Sequence, residues 1–105
     1  GFLWYYLGFC KFNEDKWQEA LRSFDRAQNL GDINCLGFKA FCLRKLNRHH
    51  ECLEFTTKSL RQYPNVPSLY FNRALSRQSL EQPKTLVCQD MKKAAELAPE
   101  LINSY

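Results

Sequence analysis

An all-α fold of repeated helical hairpins is the architecture this sequence predicts, and three observations carry the prediction. A spaced pattern of small and apolar residues recurs at intervals of about 32 residues. Within the copies, apolar residues fall at helical spacing. Polar, glycine or proline signals interrupt the pattern where a hairpin must turn. At 105 residues, 45% hydrophobic and 25% charged, the chain suits one globular domain, residues 1–105, with a modest core.

The first copy spans residues 1–32. Trp4, Leu7 and Lys11 follow helical spacing in its first helix, and Leu21, Phe24, Ala27 and Gln28 follow it in the second. Between them Asn13-Glu14-Asp15-Lys16 is polar and breaks the run. Small Gly8, Ala20 and Ala27 let two helices approach closely, and Leu30-Gly31-Asp32 supplies a glycine stop.

A shift of 32 residues brings the second copy, residues 33–65, into register. Gly8 falls on Ala40, Ala20 on Cys52, Ala27 on Ser59, Gln28 on Leu60 and Asp32 on Pro64, while Leu36 takes the place of Trp4. Lys39 and Thr56 stand where larger apolar groups are expected, so this copy is degenerate. The third copy, residues 66–99, opens at Val66-Pro67 and carries Tyr70-Phe71-Asn72-Arg73-Ala74. A one-residue insertion near Glu81-Gln82-Pro83 precedes its second helix, and Pro83 suits the first turn, where its missing N–H costs nothing. Residues 100–105 are expected to open a further or capping helix, giving about six helices and the start of a seventh.

The spacing W-x2-L-G at Trp4, Leu7 and Gly8, then A-x3-F-x2-A at Ala20, Phe24 and Ala27, resembles the tetratricopeptide repeat (TPR), a helix–turn–helix unit of about 34 residues. Tyr70–Ala74 resembles the first helix of such a unit, and Ser59–Pro64 and Lys92–Pro99 resemble its closing segment. Lys11 departs from the usual aromatic, with Phe12 beside it. The resemblance implies a TPR-type superhelix of stacked antiparallel hairpins. It also implies a non-catalytic protein-binding module, a scaffold or adaptor, whose first helices line a concave groove for a partner segment.

Carried across by register, the groove places are Tyr5, Phe9, Phe12 and Asn13, then Phe38, Phe41, Arg44 and Lys45, then Phe71, Asn72, Leu75 and Gln78. That set is aromatic with one basic corner and suits a partner with apolar anchors and a nearby acidic residue. It holds more phenylalanines than packing between three copies needs; the competing reading makes them core between neighbours. One TPR subclass clamps a chaperone's terminal carboxylate. Asn72 resembles the clamp asparagine, but Gly37, Phe41, Tyr5 and Phe9 occupy the places of its other polar residues, so a clamp is not expected.

The net charge of +4 is unevenly placed. Residues 35–66 hold Lys39, Arg44, Lys45, Arg48, Lys58 and Arg61 against only Glu51 and Glu54, which draws an acidic partner or nucleic acid, or is simply a solvated face. RNA or DNA contact by Arg44, Lys45 and Arg48 beside Phe38 and Phe41 is the alternative reading, although no basic stripe runs through all three copies. The five cysteines form no C-x-x-C pair, so reduced, buried thiols and a cytoplasmic or nuclear setting are expected. Phe2–Cys10 is apolar but too short to span a bilayer, and only Gly1 stands where a signal peptide places basic residues, so no membrane partner is expected. The chain starts without methionine and is read as an excerpt of a longer protein, whose exposed repeat ends would allow dimers.

Asn47-Arg48-His49-His50-Glu51-Cys52 has the look of a chemical site. In register it repeats Asp15–Ala20, so His49 replaces Trp17 near the turn and Cys52 replaces Ala20 at a tight helix contact. Adjacent histidines on a helix point about 100° apart and lack the i, i+4 relation of a shared zinc face. No catalytic residue, metal or cofactor is expected.

Overall fold

Four helix ends share one device. In the computed structural model, which describes residues 2–98, Asp15, Asn47 and Glu81 have φ of 60°, 59° and 56°, and Gly31 has φ of 91°. Each left-handed residue donates its N–H three places back: Asp15 to Phe12, Gly31 to Gln28, Asn47 to Arg44 and Glu81 to Gln78. The next residue reaches five back, Lys16 to Lys11 at 3.0 Å, Asp32 to Ala27 at 3.0 Å, Arg48 to Leu43 at 2.9 Å and Gln82 to Arg77 at 2.9 Å. This Schellman arrangement satisfies carbonyls that a helix end otherwise leaves orphaned. Asp15, Asn47 and Glu81 lie 32 and 34 residues apart, so one turn geometry recurs at the period of the sequence.

These turns delimit α1 (Phe2–Asn13), α2 (Trp17–Asn29), α3 (Leu36–Lys45), α4 (His49–Gln62), α5 (Pro67–Ser79) and α6 (Lys84–Leu97). The fold is all-α, with six helices and no strand among the described residues. Pro67 opens α5, whereas Pro83 stands one place outside α6, at its N-cap with φ −52° and ψ 135°. Its carbonyl accepts from Leu86 and Val87, so the proline fixes the approach to the helix rather than its first turn. Pro99 and the further helix expected over 100–105 fall outside the described residues.

Contacts divide the chain into two compact units, one ending at Arg48 and one beginning at His49, a division at the turn inside the second sequence copy. In the first unit α1 packs on α2 across Gly8, where an added Cβ would lie 2.7 Å from the Phe24 ring. Ala20, Phe24 and Ala27 are fully buried there. Cys35, Leu36, Ala40, Cys42 and Leu43 of the α3 region are buried as well. Lys39, a cation at an apolar place of the repeat, reaches α2 instead, with Nζ 2.8 Å from Asp25 Oδ1 and 2.8 Å from Gln28 Oε1. Of the three helically spaced residues Leu7 is 41% exposed, while Trp4 and Lys11 both meet α2, Trp4 under the Arg26 guanidinium at 4.8 Å and Lys11 through Glu19 at 3.8 Å.

The second unit has a more polar interior. Cys52, Thr56, Ser59 and Leu60 of α4 are buried, as are Leu69, Phe71, Asn72, Ala74 and Ser76 of α5 and Asp90 and Ala94 of α6. Buried hydroxyls and amides need partners, and Thr56 and Asn72 find theirs one turn back in their own helices. Thr56 Oγ1 donates to the Cys52 carbonyl at 2.7 Å, and Asn72 Nδ2 donates to the Ser68 carbonyl at 2.9 Å.

Candidate interaction surface

The first unit gathers aromatic side chains from three helices into one connected strip. Phe38 is its hub, with ring centroids 6.0 Å from Tyr5, 5.7 Å from Phe9 and 5.0 Å from Phe12, all near-perpendicular. Its other face stacks on Phe24 at 5.6 Å and 19°. Phe12 continues the strip to Phe41 at 5.0 Å, and Trp17 closes that end, 5.2 Å from Phe12 and 5.5 Å from Phe41. The sequence places Tyr5, Phe9 and Phe12 along α1 at steps of four and three, which is one helix face.

Phe24 is wholly buried, but Tyr5, Phe9, Phe12, Trp17, Phe38 and Phe41 are each only half-buried. Edge-to-face pairs contribute about 0.5–1.5 kcal/mol each beyond burial, enough to hold such rings in place while part of their surface still meets water. Burial also raises the Tyr5 hydroxyl pKa, with smaller contributions from Tyr6, Asp32 and Cys35.

One end of the strip is cationic. The Arg44 guanidinium lies 4.8 Å from the Phe41 centroid and the Lys45 ammonium 5.5 Å from the same ring. Seven of the twelve expected groove residues, Tyr5, Phe9, Phe12, Phe38, Phe41, Arg44 and Lys45, thus come together in the first unit. Asn13, at the end of α1, is exposed, and the other four belong to the second unit, where Gln78 is exposed. Phe71 is 8% exposed and Asn72 3% exposed, with its amide spent on Ser68, and Leu75 is half-buried.

A second grouping was not anticipated from sequence. Asp90, whose side chain is 4% exposed, receives Arg73 Nη2 at 2.7 Å and Arg73 Nε at 3.0 Å on separate oxygens. Arg77 Nη1 donates to the same carboxylate at 3.0 Å. Arg73 Nη1 reaches Thr57 Oγ1 at 3.4 Å, so one guanidinium links α4, α5 and α6. Its signal was available: Asp90 lies four residues after Leu86 and four before Ala94, a charge in the buried register of α6. The grouping ties helices together, with its carboxylate buried and its guanidiniums only partly open to solvent.

The residues of Asn47–Cys52 separate. His49 Nδ1 lies 3.3 Å from Ser76 Oγ on α5, His50 is exposed, and Cys52 is fully buried with Sγ 4.0 Å from the Asn72 carbonyl. Cys52 therefore occupies the tight contact that Ala20 fills in the first unit. Among the cysteines Cys35, Cys42 and Cys52 are buried while Cys10 and Cys88 are exposed, and all five are free. Burial pushes the Cys35 thiol up to about 11 and the Cys42 thiol up to about 12, with nearby Asp32 and Asp25 respectively adding to it. Both are thiols, not thiolates, near neutral pH. No described helix is long and apolar enough to cross a membrane.

No family model matches this chain, and no curated protein matches its sequence.

Proposed function

We propose that this chain is a non-catalytic interaction module of TPR type, binding a protein segment on the aromatic, basic-ended face of α1 and α3 and acting as scaffold or adaptor in the cytoplasm or nucleus. The observation that carries the reading is the strip itself: six half-buried rings in mutual contact, with two cations over the outermost phenylalanine. Aromatic residues and arginine dominate binding hot spots because they offer large rigid contact area at low entropic cost. The TPR assignment is supported by the recurring turn and by small buried residues, Gly8, Ala40 and Ala74, at matching places of the three copies.

The test is affinity capture with the wild-type chain beside a Phe9→Ala, Phe41→Ala, Lys45→Glu variant whose helix content is verified by circular dichroism. Loss of specific protein partners from the folded variant is the expected result. A folded variant that keeps every partner sinks the reading, and partners that prove to be nucleic acid replace it with the RNA- or DNA-contacting alternative.

A further inference from the structure

Helix α1 is apolar on more sides than its own unit covers. From Phe2 to Cys10 its sequence holds no charged residue. Gly8 meets Phe24 and Trp4 lies under Arg26, both on α2, while Tyr5, Phe9 and Phe12 turn to Phe38 of α3. The side of α1 away from Gly8 holds Leu3, Tyr6, Leu7 and Cys10, and all four are exposed, Leu3 by 74%, Tyr6 by 50% and Leu7 by 41%. With 3.6 residues per turn these places fall within an arc of about 100°, the width of the stripe a helix ordinarily buries in a core. The stripe ends at Asn13 and Glu14, where the next turn is polar and exposed.

We infer that a second copy of this chain covers the stripe, α1 lying antiparallel on α1 of its partner about a two-fold axis between Tyr6 and Leu7. Spacing and charge both choose that occupant. The steps between Leu3, Tyr6, Leu7 and Cys10 are three, one and three, the same in either direction. A two-fold axis across the helix therefore sets Leu3 against the partner's Cys10 and Tyr6 against the partner's Leu7, apolar on apolar throughout, as a self-complementary contact requires. Near such an axis any charge meets its own copy, and here there is none: the nearest charge on α1, Lys11, is drawn off to Glu19 of α2 at 3.8 Å. A partner selected by charge, such as nucleic acid or an acidic peptide, finds nothing on this side to pair with. Opposed helix dipoles favour the antiparallel pair over the parallel one. Twelve-residue α1 is about 18 Å long, and one such helix on another covers less than the ~800 Å² per partner of a stable complex. The dimer is accordingly weak, with Kd on the order of 100 µM. It uses the side of α1 opposite the aromatic strip and is independent of the reading above.

The experiment is sedimentation of the whole chain, kept reduced, from about 10 µM to about 1 mM, across which it is expected to pass from monomer to dimer. Leu3→Glu is expected to raise Kd at least about tenfold. Its helix content, checked by circular dichroism, is kept, because Leu3 is exposed and a carboxylate suits the first turn of a helix. Over the same range alkylation of Cys10 slows relative to Cys88, the other exposed thiol, and in Leu3→Glu it does not. Register is read by disulfide trapping in a Cys88→Ser background. A covalent dimer is expected with Leu3→Cys and native Cys10 together, but not with Cys10 alone, nor with Leu3→Cys once Cys10→Ser is added. Within one helix those two places are about 10 Å apart, too far for a disulfide in the same chain. A chain that stays monomeric at the highest concentration overturns the inference and leaves the stripe to another partner. So does a dimer that Leu3→Glu does not weaken. Trapping by Cys10 alone, or no trapping with both cysteines where the wild type is dimeric, overturns the antiparallel contact.

Discussion

At Gly8 and Gly31 the same amino acid is needed for two different reasons. An alanine at Gly8 would put its Cβ 2.7 Å from the ring of Phe24, which is fully buried and has nowhere to go. Gly8→Ala is therefore expected to destabilise by about 1–3 kcal/mol through overpacking, and Phe24→Leu in the same chain should recover part of the loss in urea denaturation. Gly31 has open space around it but φ of 91°, so Gly31→Ala is expected to cost about 1 kcal/mol by backbone strain alone, with no rescue from any neighbour. Glu81, a long side chain at φ 56°, makes the opposite case: Glu81→Gly should stabilise by about 0.5–1 kcal/mol, again read by urea midpoint. Sequence reading marked Gly8 as a close-contact residue and Gly31 as a stop. It placed the other turns by polarity but gave no sign that Asp15, Asn47 and Glu81 take left-handed φ, since glutamate has no preference for it and asparagine and aspartate adopt it only in a minority of places.

The helices show where pattern reading reaches and where it stops. Tyr5, Phe9, Phe12, Phe38 and Phe41 were legible because α1 and α3 repeat one register, and aromatics at those places share a face. Phe71 and Asn72 share that register yet are buried, because the second unit's interior is built from smaller and more polar groups that leave room for them. The Asp90 grouping was illegible as a unit, since its partners come from two helices and only one of its residues breaks an apolar stripe. Its energetic weight follows from burial. Removing the carboxylate strands Arg73 and Arg77, whose side chains are 15% and 18% exposed, with two uncompensated positive charges. Asp90→Ala is expected to destabilise by about 3 kcal/mol or more, measured by chemical denaturation, while Thr57→Ala, which loses only a 3.4 Å contact, should cost a small fraction of that.

For the chain as a whole, the buried thiols set a pH limit. The folded state holds the Cys35 and Cys42 protons to about 11 and about 12, whereas an unfolded cysteine loses its proton near 8.5. Above that value the folded state binds more protons than the unfolded one, so stability is full below about pH 8 and falls as the pH rises toward 11–12. Cys42→Ala should flatten that alkaline slope in denaturation curves taken at pH 8 and 10.5, even if it lowers stability at pH 8. In the native chain at neutral pH, exposed Cys10 and Cys88 should react with a thiol reagent while buried Cys35, Cys42 and Cys52 wait for unfolding.

The central claim is that the half-buried rings of the first unit are a partner-facing surface and not merely an unfinished core. It is tested most directly by aromatic carbon–proton spectra of the chain with and without a captured partner. The account predicts that Phe9, Phe12, Phe38 and Phe41 shift together with the Arg44 and Lys45 side chains. Shifts confined to α6, with those rings unmoved at saturation, would contradict it.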